Sequence, residues 1–303
     1  MAPTVNLKGI MVAVVTPFTA DGKSIDTHYL DKHINRMIEA GVHGLVPGGS
    51  TGEFTTLSVA ERKQLIEQTV KSTAGRVPVV AGIGELSTDS AIDLAKHAAQ
   101  AGAAAVMLVP PFYDAPNLQQ LKEMLKEVGS EANIPVMYYN IPSASGMKLS
   151  PTELVSLSEV GVNYLKDTSG DGPALTGMLF RKDIRDKMTV FNGWDTLTFY
   201  GLAAGAKGSI WGATNFIPEL SMQLWDALAV RGDLKKGREI WEKIFPLCEF
   251  LESNGNYAAG VKTAMELRGW HAGPQRKPFA VLQGEPRQRL AVLLKNAGVQ
   301  VVE

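Results

Sequence analysis

Cysteine is nearly absent from this chain of 303 residues, since Cys248 is the only one. A single cysteine cannot form a disulfide within the chain, so a packed core has to hold the fold together. Cys248 lies in a stretch with helical spacing of apolar residues, which predicts a buried structural thiol. This use of cysteine indicates a cytoplasmic protein.

The chain also lacks an excess of either charge. It has 30 Lys and Arg against 31 Asp and Glu, with no run of basic residues, so we expect neither nucleic acid nor an anionic membrane as a partner. No stretch approaches the ~18 apolar residues of a membrane span. The first residues lack the charged-then-apolar pattern of a signal peptide.

Histidine is scarce and poorly placed for a metal. No two histidines are spaced as the ligands of one metal ion with a Cys or carboxylate as a further ligand. We therefore expect no zinc site. The five are His28, His33, His43, His97 and His271.

What the chain does contain is apolar sequence in short runs. The composition, 45% hydrophobic and 20% charged, fits a globular protein with a large core, either one barrel-sized domain or two smaller ones. Runs rich in Val, Ile and Ala occur at 9–15, 42–47, 77–82, 104–109, 135–139, 162–166, 187–191 and 206–211. Segments with helical spacing follow them at 26–40, 58–72, 87–100, 117–130, 150–160, 172–182, 196–204 and 218–230.

This alternation predicts the fold class. Strands that are apolar on both faces and are each followed by a helix require a parallel sheet covered by helices. Eight such units favour an α/β fold of the (β/α)8 TIM-barrel type over an open doubly wound sheet, which usually stops at about six strands. Beyond residue 230 only helical patterns follow, at 233–251, 255–268 and 286–296. We therefore predict a catalytic barrel at 1–230 and a C-terminal helical region at 231–303 packed on it.

One lysine stands out in this barrel. Active sites of TIM barrels lie at the C-terminal ends of the strands, and Lys166 ends its strand whereas Lys8 and Lys207 begin theirs. A lysine held out of water there more readily becomes the nucleophilic amine that Schiff-base chemistry on a ketone or aldehyde needs. The alternative is a lysine that merely ends a strand and reaches into water, which is the commoner state of this residue type.

Hydroxyl groups lie at several other predicted strand ends, on Thr16, Ser50, Thr51, Tyr113, Tyr138 and Tyr139. These strand ends hold no histidine and no pair of carboxylates, so general acid–base work would fall to a hydroxyl or to a substrate carboxylate. Glu53 lies where the next helix is expected to begin, a position typical of a capping residue.

The Gly-Gly-Ser-Thr-Gly segment at 48–52 has two interpretations. Its glycines allow backbone amides to approach a ligand, and it leads towards a helix N-terminus, which suits a carboxylate or phosphate. It fits a tight turn between strand and helix equally well. The Gly-Lys-Ser/Thr ending of a Walker loop is absent.

Four motifs at these strand ends carry a family resemblance. Thr-Pro-Phe at 16–18, Gly-Ser-Thr-Gly-Glu at 49–53, Tyr-Asn-Ile-Pro at 139–142 and Leu-Lys-Asp-Thr at 165–168 occur in this order and spacing. Together they resemble the dihydrodipicolinate synthase and N-acetylneuraminate lyase superfamily of class I aldolases, over nearly the whole chain.

The resemblance implies catalysis without a cofactor, through an imine between Lys166 and the carbonyl carbon of pyruvate or a related 2-oxo acid. It implies that Tyr139 relays protons, while Ser50 and Thr51 hold the relay and the carboxylate of the 2-oxo acid. Tyr113 matches a tyrosine that reaches a neighbouring subunit's site in many members, which implies a homo-oligomer, either a dimer or a tetramer. The further substrate-binding positions that it implies are Gly49, Thr168, Gly193, Asp195 and the backbone of Ile210.

Departures from the family pattern bear on the substrate. The synthase proper usually carries an Arg after its Tyr-Asn-x-Pro motif, where a guanidinium receives the carboxylate of the aldehyde, and here Ala144 takes that place. The lyase branch generally has an acidic residue where this chain has Thr196, and a Ser where it has Gly212.

We therefore expect a lyase that makes or cleaves a carbon–carbon bond between a 2-oxo acid and an aldehyde, with a 2-keto-3-deoxy acid as the substrate type. Three alternatives stay open. The chain could be the synthase proper, acting on pyruvate and aspartate semialdehyde, or a sugar-acid dehydratase that works through the same imine. It could also be a non-catalytic sensor of a 2-oxo acid.

Overall fold

The eight apolar runs form parallel strands, because each is buried on both faces and a helix returns the chain to the same edge of the sheet. In a computed structural model, which describes residues 5–302, the strands are β1 (Gly9–Ala13), β2 (Gly44–Val46), β3 (Val80–Gly82), β4 (Ala105–Leu108), β5 (Val136–Asn140), β6 (Tyr164–Asp167), β7 (Thr189–Asn192) and β8 (Gly208–Trp211). Residues 1–4 and Glu303, at the outer limits of the two predicted regions, lie outside the described residues.

The strands are ordered β2-β1-β8-β7-β6-β5-β4-β3 in one sheet. A parallel bridge between Leu45 and Val79 joins its two edges, and the Gly82 amide donates to the Pro47 carbonyl at 2.8 Å across the same seam. The predicted TIM barrel is thereby confirmed. Most of the strands are shorter than the apolar runs that predicted them, and β5, β6 and β7 end one residue beyond their runs.

The helices around the barrel are α1 (Thr27–Glu39), α2 (Val59–Thr73), α3 (Thr88–Ala101), α4 (Leu118–Ala132), α5 (Pro142–Ser145), α6 (Pro151–Ser156), α7 (Gly172–Phe180), α8 (Lys182–Arg185), α9 (Thr198–Ala203) and α10 (Pro218–Trp225). Local signals set several helix starts: Ser58 and Glu61 form the capping box of α2, and Pro151 occupies the first turn of α6. The predicted helix at 172–182 is two helices, since the chain is extended at Arg181.

Alternation along the strands separates two layers of the core. Tyr139 points into the barrel with Met11, Met107 and Phe191. Its neighbour Tyr138 packs outward between the sheet and the helices, where its hydroxyl has no hydrogen-bond partner within residues 5–302. Of the two tyrosines predicted at this strand end, only Tyr139 can therefore serve a site inside the barrel.

The C-terminal region consists of α11 (Leu234–Ser253), α12 (Tyr257–Leu267) and α13 (Gly284–Asn296). Their apolar faces share one core cluster with the barrel side of α10, and Cys248 is fully buried in that cluster as predicted. The division into a catalytic barrel at 1–230 and a helical region at 231–303 stays a prediction. Over residues 5–302, no helix is both long enough and apolar enough to cross a bilayer.

Candidate active site

Lys166 and Tyr139 lie side by side on neighbouring strands. They are register partners of β6 and β5, so both side chains emerge on the same face, towards the barrel axis. The Lys166 Nζ stands 4.0 Å from the centre of the Tyr139 ring. Both residues are buried, at 5% and 4% exposure, so Lys166 is not a solvated strand end.

Gly193, which follows β7, makes room for this lysine. A Cβ at Gly193 would stand 2.7 Å from the Lys166 Cε and 2.3 Å from the Thr168 Oγ1, and both distances are shorter than real contacts allow. The position therefore has to be glycine if Lys166 and Thr168 are to keep their places.

These groups open into a cavity of about 680 Å³ at the C-terminal end of the barrel, a size typical of small-molecule sites. Of the predicted site residues, Ser50, Thr51, Tyr139, Lys166, Thr168, Gly193, Asp195 and Ile210 line it. Gly49 and Tyr113 are not among the lining residues. The C-terminal region contributes further lining residues, so the barrel alone does not form the site: Leu251, Glu252, Gly255, Asn256, Tyr257, Ala258, Gln275 and Phe279.

The Gly-rich segment after β2 forms a tight turn, which is one of the two interpretations that its sequence allowed. Gly48 has φ +71, and its carbonyl would stand 2.2 Å from a Cβ at Gly82, so tight packing against β3 explains these glycines. Ser50 and Thr51 reach the cavity, where their hydroxyls can face a ligand. Thr16 does not, because its buried hydroxyl donates to the Gly52 carbonyl at 2.7 Å and fixes the turn.

Thr168 offers a free hydroxyl. Its Oγ1 is buried and has no hydrogen-bond partner within residues 5–302, although the residue lines the cavity. A buried hydroxyl without a partner costs stability unless a ligand or water completes it. The preceding Asp167 points away and accepts from the Asn140 side chain at 2.6 Å and from Ser169 at 3.0 Å, which ties β5 to the loop after β6. Burial raises the pKa of Asp167.

Asp195 lines the cavity just after β7, and it is buried at 4% exposure. Burial raises the pKa of its carboxyl to about 7, against the opposing hydrogen bond from the Tyr257 hydroxyl, which donates to the Asp195 Oδ2 at 2.6 Å. Tyr257 needs the space left by Gly212, since a Cβ there would stand 2.5 Å from its ring. The glycine in place of the lyase-branch serine therefore accommodates a tyrosine from α12.

Glu252, near the end of α11, brings a second carboxylate to the same wall. Its Oε1 accepts from the Thr196 amide at 3.1 Å and its Oε2 accepts from the Thr196 hydroxyl at 2.9 Å. Burial raises the pKa of Glu252, and the hydrogen bonds from Thr196 oppose that rise. An acidic group thus stands beside Thr196 although the chain has none at that position.

Glu53 has a different role from the capping one expected. It begins a short 3-10 turn, but its side chain makes no capping hydrogen bond. Instead Glu53 forms a buried ion pair at 2.6 Å with Lys262 of α12, and Lys262 also donates to the Pro274 carbonyl at 2.9 Å. Arg276 adds hydrogen bonds to the Thr56 carbonyl and to the Glu61 side chain. These contacts fasten the C-terminal region to the loop that carries Ser50.

Sequence reasoning missed Glu252, Tyr257 and Lys262 as neighbours of the site. They lie far along the chain from the strand ends, within helices whose local pattern only predicts packing, so no spacing connects them with Lys166. A metal-binding arrangement of three or more His, Cys, Asp or Glu side chains does not occur in the part of the chain that the structure describes.

Comparisons with known proteins agree with this geometry. The sequence pattern of the Dihydrodipicolinate synthetase family matches residues 6–297. A 4-hydroxy-tetrahydrodipicolinate synthase of Methanopyrus kandleri is 35% identical over 298 residues, which are 97% of this chain and 97% of the relative. An uncharacterized DapA-like lyase of Halobacterium salinarum is 35% identical over 294 residues, covering 97% and 95% of the two chains.

Solved structures give the same result. The chloride-inhibited dihydrodipicolinate synthase of Acinetobacter baumannii in complex with pyruvate superposes with a TM-score of 0.91 at 32% identity, over 97% of this chain and 100% of that one. YagE of Escherichia coli K12, in complex with pyruvate, also has a TM-score of 0.91, at 29% identity over 97% and 100% of the two chains. The chain belongs to the dihydrodipicolinate synthetase family of lyases, which are class I aldolases.

Proposed function

We propose that this protein cleaves or forms the carbon–carbon bond of a 2-keto-3-deoxy acid through an imine on Lys166. The observation that carries the proposal is the contact between Lys166 and Tyr139 in the wall of the cavity, at 4.0 Å from amine to ring centre. No carboxylate within residues 5–302 lies at ion-pair distance from Lys166, so the amine is left to face a substrate carbonyl.

In the proposed reaction the Lys166 amine attacks the C2 ketone, and loss of water gives the imine. Once the imine nitrogen is protonated, a base takes the proton of the C4 hydroxyl, the C3–C4 bond breaks, and its electrons pass into the iminium to form a neutral enamine while the aldehyde leaves. Protonation at C3 and addition of water release pyruvate and restore the amine. Tyr139 is the hydroxyl placed to relay these protons.

The 2-oxo acid carboxylate needs hydrogen-bond donors near Lys166. Ser50 and Thr51 supply hydroxyls in the cavity wall, and the unpartnered Thr168 hydroxyl supplies another. The proposed binding residues also include Gly49, Gly193, Asp195 and Ile210, which contribute to the site in different ways. Gly193 acts by leaving space for Lys166, Ile210 lines the cavity, and Gly49 contributes only through the turn that presents Ser50.

The aldehyde half decides between two candidate functions. The names of the relatives favour synthase activity with aspartate semialdehyde, which carries a carboxylate. Against it, Ala144 lines the cavity, and Lys166 is the one Lys, Arg or His side chain that lines it within the described chain. Lys148 and Arg181, two basic residues that could replace the missing charge, are exposed and do not line the cavity.

Two further parts of the proposal concern the oligomeric state and the cellular compartment. Tyr113 is 87% exposed in the loop after β4, which suits a side chain that reaches into a neighbouring subunit's site. We accordingly propose a homo-oligomer, a dimer or a tetramer, in the cytoplasm.

The test compares products. Purified protein is assayed for pyruvate release from a panel of 2-keto-3-deoxy acids and, in parallel, for condensation of pyruvate with aspartate semialdehyde. A missing charge-assisted contact costs roughly 1.5–3 kcal/mol, or about 10- to 150-fold in transition-state binding, so we expect little condensation compared with cleavage. Efficient condensation would instead establish a synthase, loss of water without pyruvate a dehydratase, and binding without turnover a sensor.

A further inference from the structure

One part of the cavity wall takes no part in the imine chemistry of Lys166. It is formed by the turn after β7 and the end of α11. Asp195, Thr196 and Glu252 meet there, and the Trp194 Nε1 donates to the Thr196 hydroxyl at 3.0 Å. Glu252 is fixed by its two hydrogen bonds from Thr196, at 3.1 and 2.9 Å. Each carboxylate oxygen can accept a second hydrogen bond, and the residue faces the cavity.

Carboxyl groups outnumber amines among the ionisable side chains that line the cavity. Glu53 is paired with Lys262 at 2.6 Å, and the positive charge that Lys166 keeps as a protonated imine is matched by the C1 carboxylate of the 2-oxo acid. Asp195 and Glu252 then remain as hydrogen-bond acceptors, with no guanidinium or second ammonium among the lining residues of the described chain. Such a wall suits a ligand that donates hydrogen bonds, and it repels a second carboxylate.

Resting on the proposed aldolase function, we propose that Glu252 determines substrate specificity by binding a hydroxyl group of the aldehyde half. The substrate class is then an uncharged polyhydroxylated aldehyde, released from a 2-keto-3-deoxy acid that ends in a hydroxymethyl group. A chain of the same length that ends in a carboxylate is disfavoured by repulsion from Glu252.

The test uses two cleavage substrates of equal length, a 2-keto-3-deoxyhexonate and a 2-keto-3-deoxyhexarate. We expect the wild type to favour the hexonate by about 100-fold in kcat/KM. Glu252→Gln keeps the side-chain shape and lowers that preference about tenfold or more, since it removes the charge. Glu252→Asp keeps the charge on a shorter side chain, which holds it farther from the substrate. This variant should therefore cleave the hexonate more weakly and still reject the hexarate. Glu249→Gln, exposed on the same helix, leaves both values unchanged.

Borohydride trapping of pyruvate separates this inference from the aldolase proposal, because pyruvate needs only the Lys166 end of the site. Equal cleavage of both substrates by the wild type, or a parallel loss of both activities in Glu252→Gln with normal pyruvate trapping, would overturn the role of Glu252 alone. A protein that traps no pyruvate would overturn the aldolase proposal itself.

Discussion

Two lysines are buried among residues 5–302, and they differ in what surrounds the ammonium group. Lys262 is paired with Glu53 at 2.6 Å and donates to a carbonyl, so its ammonium is held by groups of the protein itself. Burial lowers the pKa of Lys262 and Glu53 opposes that shift. Both amines lie over an aromatic ring, but Lys166 faces the cavity and forms no ion pair within residues 5–302, which leaves its amine available for a carbonyl carbon.

The neighbouring Tyr139 supplies the first prediction. Tyr139→Phe keeps the ring that contacts Lys166 and removes only the hydroxyl, so proton relay should fail during imine formation and carbon–carbon bond cleavage. We expect kcat for cleavage to fall on the order of 10²-fold or more. Steady-state kinetics of the two proteins measure the loss, and Tyr138→Phe, which points away from the barrel interior, is the matched control. Near-normal turnover of Tyr139→Phe would remove this residue from the mechanism.

Asp195 should make stability depend on pH. Its carboxyl ionises near 3.8 in the unfolded chain but near 7 when folded, so the folded state holds the proton more tightly. The stability that this provides is complete below about pH 4 and is lost as pH rises towards 7. Wild-type stability should therefore fall relative to Asp195→Asn over this range, by at most ~1.4 kcal/mol per pH unit.

Urea unfolding at several pH values measures this difference, with Asp114→Asn as an exposed control. A stability difference between Asp195→Asn and the wild type that does not change with pH would show that Asp195 ionises normally in the fold.

Among the elements, the end of β1, the turn after β8 and helix α1 are joined by one buried amide. The Asn215 side chain donates to the Ala13 and Gly212 carbonyls at 2.8 and 2.7 Å, and its oxygen accepts from the Val15 amide at 3.2 Å. The His33 Nε2 of α1 lies 2.9 Å from the same oxygen. Because that oxygen can only accept, the Nε2 carries the hydrogen.

His33 yields a second prediction on pH. Burial lowers the pKa of His33 to about 4 from its usual 6.5, so the unfolded chain takes up a proton before the folded one does. The stability that neutral His33 provides is complete above about pH 6.5 and is lost as pH falls towards 4. The free energy of unfolding of His33→Gln should change less with pH over this window, in which the wild type loses up to ~3 kcal/mol.

Denaturation of the wild type, His33→Gln and His28→Gln at pH 4.5, 5.5 and 7 provides the comparison. His28 is exposed on the same helix, so its variant should keep the wild-type slope. An unchanged slope in His33→Gln would contradict the assignment of a neutral buried imidazole.

Local sequence signals predicted most of the elements. Apolar runs identified the eight strands, and the Ser58 capping box and Pro151 set the starts of α2 and α6. The limits of β2 and the short helix α5 were not predictable in this way. A strand ends where backbone pairing ends, and pairing depends on the neighbouring strand rather than on the apolar run itself.

In the whole molecule, the C-terminal region completes the site. Helix α11 brings Glu252, α12 begins with Tyr257, and Phe279 lies at 46% exposure in the cavity wall. Arg276 bonds back to the carbonyls of Gly22 and Lys23. Lys166 and Tyr139 could be predicted from the sequence because the barrel topology brings strand ends together. Contacts between the barrel and the C-terminal helices join residues far apart in the chain, and no sequence pattern marks them. The acidic wall could therefore be found only in the structure.

The proposed activity depends on a single covalent bond at Lys166. Incubation with pyruvate and borohydride, followed by peptide mass mapping, should place one reduced pyruvyl group on the Lys166 peptide and none on the Lys262 peptide. Lys166→Arg should lose both label and turnover, since a guanidinium stays protonated and cannot attack the ketone. Lys262→Arg should keep the label. Label on another lysine, or none with pyruvate and its homologues, would contradict the mechanism.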